Sequence, residues 1–172
     1  MTWTLICTFI AFMIFLMYNI TSLIKFNTPS SLSMTFYYWK EETKWKRLLF
    51  PIMMISMAGL LLPAWLTLSA SSPFQFTAFL AAAGIMFTGS APAFKSSDLE
   101  NSVHMTSAII AAIFALLWII LVTKLWWIIV IWFIASMLMA VLTNSIKSSY
   151  IYWLEFVAFM STFTAILMFC LI

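Results

Sequence analysis

The chain is poor in charge. Its 172 residues include eight Lys or Arg, five Asp or Glu and a single His. Charged residues make up 8%, against about 25% in ordinary globular chains. That shortage excludes a water-soluble domain, which at this length needs far more polar surface. Also missing is the alternation of apolar and polar positions over about ten residues that a transmembrane barrel strand requires. Leu116 to Val122 is apolar at every position instead. Backbone polar groups in lipid must bond internally, so helices remain as the spanning element. Nor is there a basic, aromatic-interleaved groove or motif for nucleic acid, so no nucleic-acid partner is expected.

What is present is apolar length. Hydrophobic residues make up 65% of the chain and aromatics 18%. A run of about 18 apolar residues is long enough to cross a ~30 Å hydrocarbon core as a helix. Six such runs occur, at 3–24, 48–69, 73–93, 103–122, 125–143 and 150–171. The expected fold is therefore all-α: one transmembrane domain, 1–172, built as a bundle of six membrane helices. The first run lacks the basic lead and cleavage site of a signal peptide and is expected to stay as the first span. Spans four and five are separated by Thr123 and Lys124 alone. One helix over 103–143 would be ~60 Å long, so a tight turn near Lys124 is expected.

The few charges set the orientation. The basic residues are Lys25, Lys40, Lys44, Lys46, Arg47, Lys95, Lys124 and Lys147. Loops 25–47, 94–102 and 144–149 hold all of them except Lys124. Short loops rich in Lys and Arg stay in the cytoplasm, which puts both termini outside a multi-pass protein of the cell membrane. The net charge of +3 then reads as basic residues facing anionic lipid, and membrane lipids are the expected partners. A second copy of the chain or another membrane protein remains a further candidate partner.

In the first loop, the stretch from Phe36 to Arg47 reads as a short interfacial helix, with aromatics at headgroup level and Glu42 spaced to pair with Lys46. Span two carries Pro51 in its first turn, where the missing N–H costs little, and Pro63 deeper, where a kink is expected. Spans three and four are small-sided: Ala81, Ala82, Ala83 and Gly84 face a series of Ser107, Ala111 and Ala115. Small residues at four-residue spacing let helices approach closely in lipid.

Four ionisable residues are candidate ligand contacts: Asp98, Glu100, His104 and Glu155. Ser97 to Glu100 fits a capping box opening the fourth span, which accounts structurally for Asp98 and Glu100. His104 is the sole histidine. It shares the small face of span four with Ser107, Ala108, Ala111 and Ala115, and its ordinary pKa near 6.5 suits proton exchange. Glu155 lies inside the last apolar run, where carboxylates are rare, face the bundle and take a partner. Glu155, Ala158, Thr162 and Ala165 share one face, and the threading sets Glu155 at a depth similar to that of His104. The two are expected to approach each other or share waters in a pocket between spans three, four and six. Such a pocket would bind a lipid or small amphiphile. An acid–base enzyme using the same pair, a proton-coupled carrier or channel, and a structural subunit are the alternatives. Cys7 and Cys170 fall near the outer ends of their spans, where they would pair only if those spans were neighbours. Asn19-Ile20-Thr21 matches a glycosylation sequon but lies within span one and is set aside.

The stretch Pro29-Ser30-Ser31-Leu32-Ser33-Met34-Thr35-Phe36-Tyr37-Tyr38, together with His104 to Ala108 opening span four, resembles signatures in a group of small bacterial multi-pass membrane proteins of unassigned activity. The resemblance covers about a quarter of the chain. It implies six spans and a bacterial or phage-related membrane, and it assigns no reaction. Membrane hydrolases resembling alkaline ceramidases are a more distant comparison. They build a zinc site from three histidines, a serine and an aspartate. With one histidine here, and about three protein ligands needed for catalytic zinc, that chemistry does not carry over and no cofactor is expected.

Overall fold

The computed structural model describes residues 2–171. Seven α-helices make up its regular structure: α1 (Thr2–Phe26), α2 (Thr35–Glu42), α3 (Leu49–Leu68), α4 (Phe76–Ser90), α5 (Asp98–Trp118), α6 (Trp127–Leu142) and α7 (Ile146–Leu171), with no strand among the described residues. Seven helices are counted: six fall on the apolar runs, and the seventh, α2, lies in the polar first loop, where a short helix is expected. A 3-10 turn, Lys46–Leu48, leads into α3, and a π-helical turn, Ile119–Thr123, prolongs α5. With these extensions four helices, of 25, 23, 26 and 26 residues, are long and apolar enough to cross a membrane.

Two expected spans come out short. The apolar runs 73–93 and 125–143 form helices of only 15 and 16 residues. Turn chemistry trims both. Ser72 accepts from Gln75 N at 3.2 Å in the turn before α4, and Pro92 follows its end. Lys124 adopts φ 60° ahead of α6, and Asn144 adopts φ 52° after it. The left-handed Lys124 supplies the expected turn between the fourth and fifth runs. α3 continues through Pro63 as a single helix. α7 starts before residue 150 and is interrupted at Ser149, whose φ of −137° is non-helical.

The helices form a loop of neighbours. α4 packs between α3 and α5, α1 lies against α3 and α7, and α7 reaches α5 while carrying α6 on its other side. The small residues decide where the fit is closest. A Cβ built on Gly84 would lie 2.6 Å from Ala111 N and 2.7 Å from Ser107 O, so α4 and α5 touch backbone to backbone, as their sequences predict. Thr88 and Ser107 hydroxyls join across the same contact at 2.9 Å. Elsewhere aromatic rings fill the space: Phe15 meets Phe159 at 4.9 Å and Phe163 at 5.6 Å. Cys7 and Cys170 are both buried as free thiols.

Candidate ligand-binding groove

The segment joining α1 to α2 enters the bundle. Asn27 turns it with φ 59°, and Ser31, Leu32 and Ser33 are buried. Buried non-helical backbone must find partners in the protein. It finds them in a ladder along the first turns of α7. Ser149 Oγ donates to Thr28 O at 3.2 Å, Tyr152 N donates to Ser30 O at 3.3 Å, and Leu32 N donates to Glu155 Oε2 at 2.6 Å. The loop offers a group every second residue, at Thr28, Ser30 and Leu32, and the helix meets it every third, at Ser149, Tyr152 and Glu155. The break at Ser149 interrupts the helical ladder, so the Tyr152 amide is open to the loop.

Further side chains secure the segment from α1. The Tyr18 hydroxyl bonds to that of Thr35. Asn19 Nδ2 donates to Phe15 O at 2.9 Å while its Oδ1 accepts from the Tyr152 hydroxyl at 3.2 Å. Trp39 Nε1 donates to Ser22 Oγ at 3.4 Å. At the outer edge of this cluster Glu42 pairs with Lys25 and, at 3.1 Å, with Lys46. The hydrogen bonds from Lys25 and then Lys46 hold the Glu42 carboxyl below the ordinary carboxylate range. The expected Glu42–Lys46 pair is present, and Lys25 joins it from the end of α1.

The inserted segment lies against α5 and α7 at one end of their contact. Between them opens a groove of about 380 Å³. Its floor is Ser30, Ser31, Ser33, His104 and Glu155, and its walls include Met105, Ile109, Ile151 and Leu154. Those four wall residues are exposed, so the groove opens sideways, toward the surface that an apolar bundle turns to lipid. A narrower slot of about 50 Å³ continues inward past Glu155, along Ala108, Ala111, Ala112, Ala115, Ala158 and Thr162 to Trp65. A site of that size and partial polarity has room for one or a few waters. The indole N–H groups of Trp65 and Trp118, 6.3 Å apart by ring centroid, have no acceptor.

The four residues singled out from the sequence fall into two groups. Glu155 and His104 line the same groove without a hydrogen bond between them. His104 is buried at 2% exposure. Its Nδ1–H donates to the Ala91 carbonyl at 2.9 Å, and its ring stacks on Phe94 at 4.5 Å. Ala91 sits just past α4, where a helix leaves its last carbonyls without partners, so His104 ties the end of α4 to the start of α5. Glu155 is half-buried, and among the described residues both ion pairs are made by Glu42. Glu155 therefore has one amide donor and no cation beside it.

Asp98 and Glu100 stand apart from that groove, in the first turn of α5. Ser97 caps α5 by accepting from Glu100 N at 3.2 Å. The Glu100 carboxylate does not complete the box on Ser97 N. It accepts instead from Ala93 N at 3.0 Å and Ser96 Oγ at 2.5 Å, bracing the α4–α5 loop. Nearby, Lys95 N donates to the Tyr37 hydroxyl at 2.6 Å, and partial burial raises the Tyr37 phenol above its ordinary value. Among the described residues no three His, Cys, Asp or Glu side chains gather as a metal-ligand group.

The sequence reading missed the contribution of α1. Tyr18, Asn19 and Ser22 form a polar face inside an apolar run, a signal of the same kind that flagged Glu155, and Asn19 was weighed only as a sequon. It also missed that the first loop turns inward. Comparison with protein-family models, with curated proteins and with solved structures finds no match to this chain.

Proposed function

We propose that the chain is a multi-pass membrane protein that holds an amphiphile in the groove between α5 and α7. In this reading all six apolar helices cross the bilayer, with the shorter α4 and α6 accommodated by local thinning and by polar residues reaching the interface. The three loops holding seven of the eight basic residues face the cytoplasm, and α2 lies at that interface with Lys40, Lys44 and Arg47 toward anionic headgroups. The groove then lies in the cytoplasmic leaflet.

One observation carries the functional reading. A carboxylate and a row of serines form the floor of a groove whose exposed walls are apolar. Binding sites combine a mainly apolar lining with a few convergent polar groups, and a sideways opening suits a ligand arriving from the bilayer. The acid–base alternative draws no support from the His104–Glu155 geometry, since each residue already has a structural partner. The test is native mass spectrometry of the protein released from its own membrane, compared with Ala112→Phe. Ala112 lines both the groove and the slot, so a phenyl ring there intrudes on both. Wild type is expected to carry a lipid adduct that the variant loses. Identical adducts on a folded variant would overturn the reading.

A further inference from the structure

Resting on that reading, we infer that the groove selects an amphiphile with a cationic headgroup, an alkylammonium, seated on Glu155. The argument is one of complementarity. Glu155 projects a carboxylate into a space lined by no Lys or Arg, in either the groove or the slot beyond it. One of its oxygens, Oε2, is held by Leu32 N, which orients the group without neutralising it. The nearby serines are small and adaptable. Ser31 Oγ already accepts from Met34 N at 3.2 Å, and the Ser30 carbonyl accepts from Tyr152 N at 3.3 Å.

A carboxylate at membrane depth ordinarily has a partner, and here the protein supplies only a neutral one. An anionic headgroup would meet like charge in a low-dielectric setting, where repulsion is least screened. A neutral alcohol would gain one hydrogen bond. An ammonium would gain a charge-assisted bond, about twice as strong as a neutral one, and with an amine pKa near 10.4 it is charged at neutral pH. The tail passes between Met105 and Ile109 on one wall and Ile151 and Leu154 on the other, into the lipid beyond.

The experiment equilibrates purified protein in a nonionic detergent with equal concentrations of dodecylamine, dodecanol, laurate or butylamine and counts retained molecules by native mass spectrometry. Dodecylamine is expected to be retained about tenfold more than dodecanol or laurate, the size of effect a charge-assisted bond gives over a neutral one. Glu155→Gln is expected to remove that preference while dodecanol retention stays level. Equal retention of laurate or dodecanol by wild type would overturn the inference, and that comparison needs no variant to fold. Butylamine bound as well as dodecylamine would overturn it too, since the site would then take a free cation. If all three long-chain probes bind equally and Ala112→Phe expels them, the amphiphile groove stands and the cation preference falls. If Ala112→Phe expels none, both fall.

Discussion

α5 has two flanks of opposite character. Against α4 the backbones meet directly, Gly84 against Ala111, with Thr88 and Ser107 bonded inside the contact. Against α7 an irregular segment is inserted, and a groove and a slot lie between the helices. Both flanks carry alanines at helical spacing. The difference comes from what stands opposite. A glycine and small residues on α4 let the alanines close up. On the α7 side Glu155 binds the inserted loop, whose Ser30, Ser31 and Ser33 line the groove. A small-residue stripe therefore allows close packing without enforcing it.

The largest expected effect tests the closed flank. In Gly84→Ala the added methyl meets backbone atoms of Ala111 and Ser107, which cannot rotate away as a side chain would. Overpacking of this kind is expected to cost about 3 kcal/mol, read as a lower Tm in detergent. Gly59, on the exposed side of α3, has nothing within 4 Å of an added Cβ. Gly59→Ala is expected to leave stability level or raise it by about 0.5–1 kcal/mol. Equal Tm values for the two variants would show that α4 and α5 are not in backbone contact.

The open flank should answer to Glu155. Glu155→Ala leaves the buried Leu32 amide without its acceptor, a loss of about 1–3 kcal/mol, and it should make residues 28–34 more susceptible to protease. Glu155→Gln keeps an oxygen for Leu32 N and should retain most of the stability and the protease resistance. An alanine variant with wild-type Tm and wild-type protease resistance would mean that Glu155 does not hold the loop. Tyr152→Phe, which removes the 3.2 Å bond to Asn19, is expected to cost about 1 kcal/mol and to leave protease resistance nearly intact, because the Tyr152 amide still holds Ser30.

The two flanks were not equally legible in the sequence. The closed one follows from residue size alone: Gly84, Ser107 and Ala111 are small, fall at helical spacing, and predict contact. The helix lengths were less readable because the ends of α4 and α6 depend on local turns at Ser72, Lys124 and Asn144, which an apolar run does not register. Glu155 was conspicuous by its charge, yet its partner was not. That partner is the backbone amide of Leu32, and backbone amides carry no residue-type signal. His104 was conspicuous for its rarity, while its observed bond is to another backbone group, the carbonyl of Ala91. Asn19 and Tyr152, 133 positions apart and hydrogen-bonded, needed the tertiary arrangement to be matched. Residue identity thus flags a buried polar group, whereas the fold decides what satisfies it.

The smallest expected effect concerns the far end of the same wedge, where Lys25 closes α1 onto Glu42 of α2. Glu42 is exposed, so the pair is screened by solvent and contributes little, but it differs from the Glu155 anchor in titrating openly. Its carboxyl pKa is lowered on folding by bonds from Lys25 and Lys46. Any stabilisation is therefore present in full above the unfolded carboxylate value and is lost as pH falls through the lowered folded value. Wild type should exceed Glu42→Gln slightly in Tm at neutral pH. The gap should close in acid, and it should shrink with added salt at neutral pH because exposed charges are screened. A gap of constant size across that pH range would mean that the Glu42 side chain acts by packing rather than by charge. The open flank would then owe its outer closure to the aromatic contacts of Trp39 with Phe26, 4.8 Å apart by ring centroid, and no longer to an ion pair.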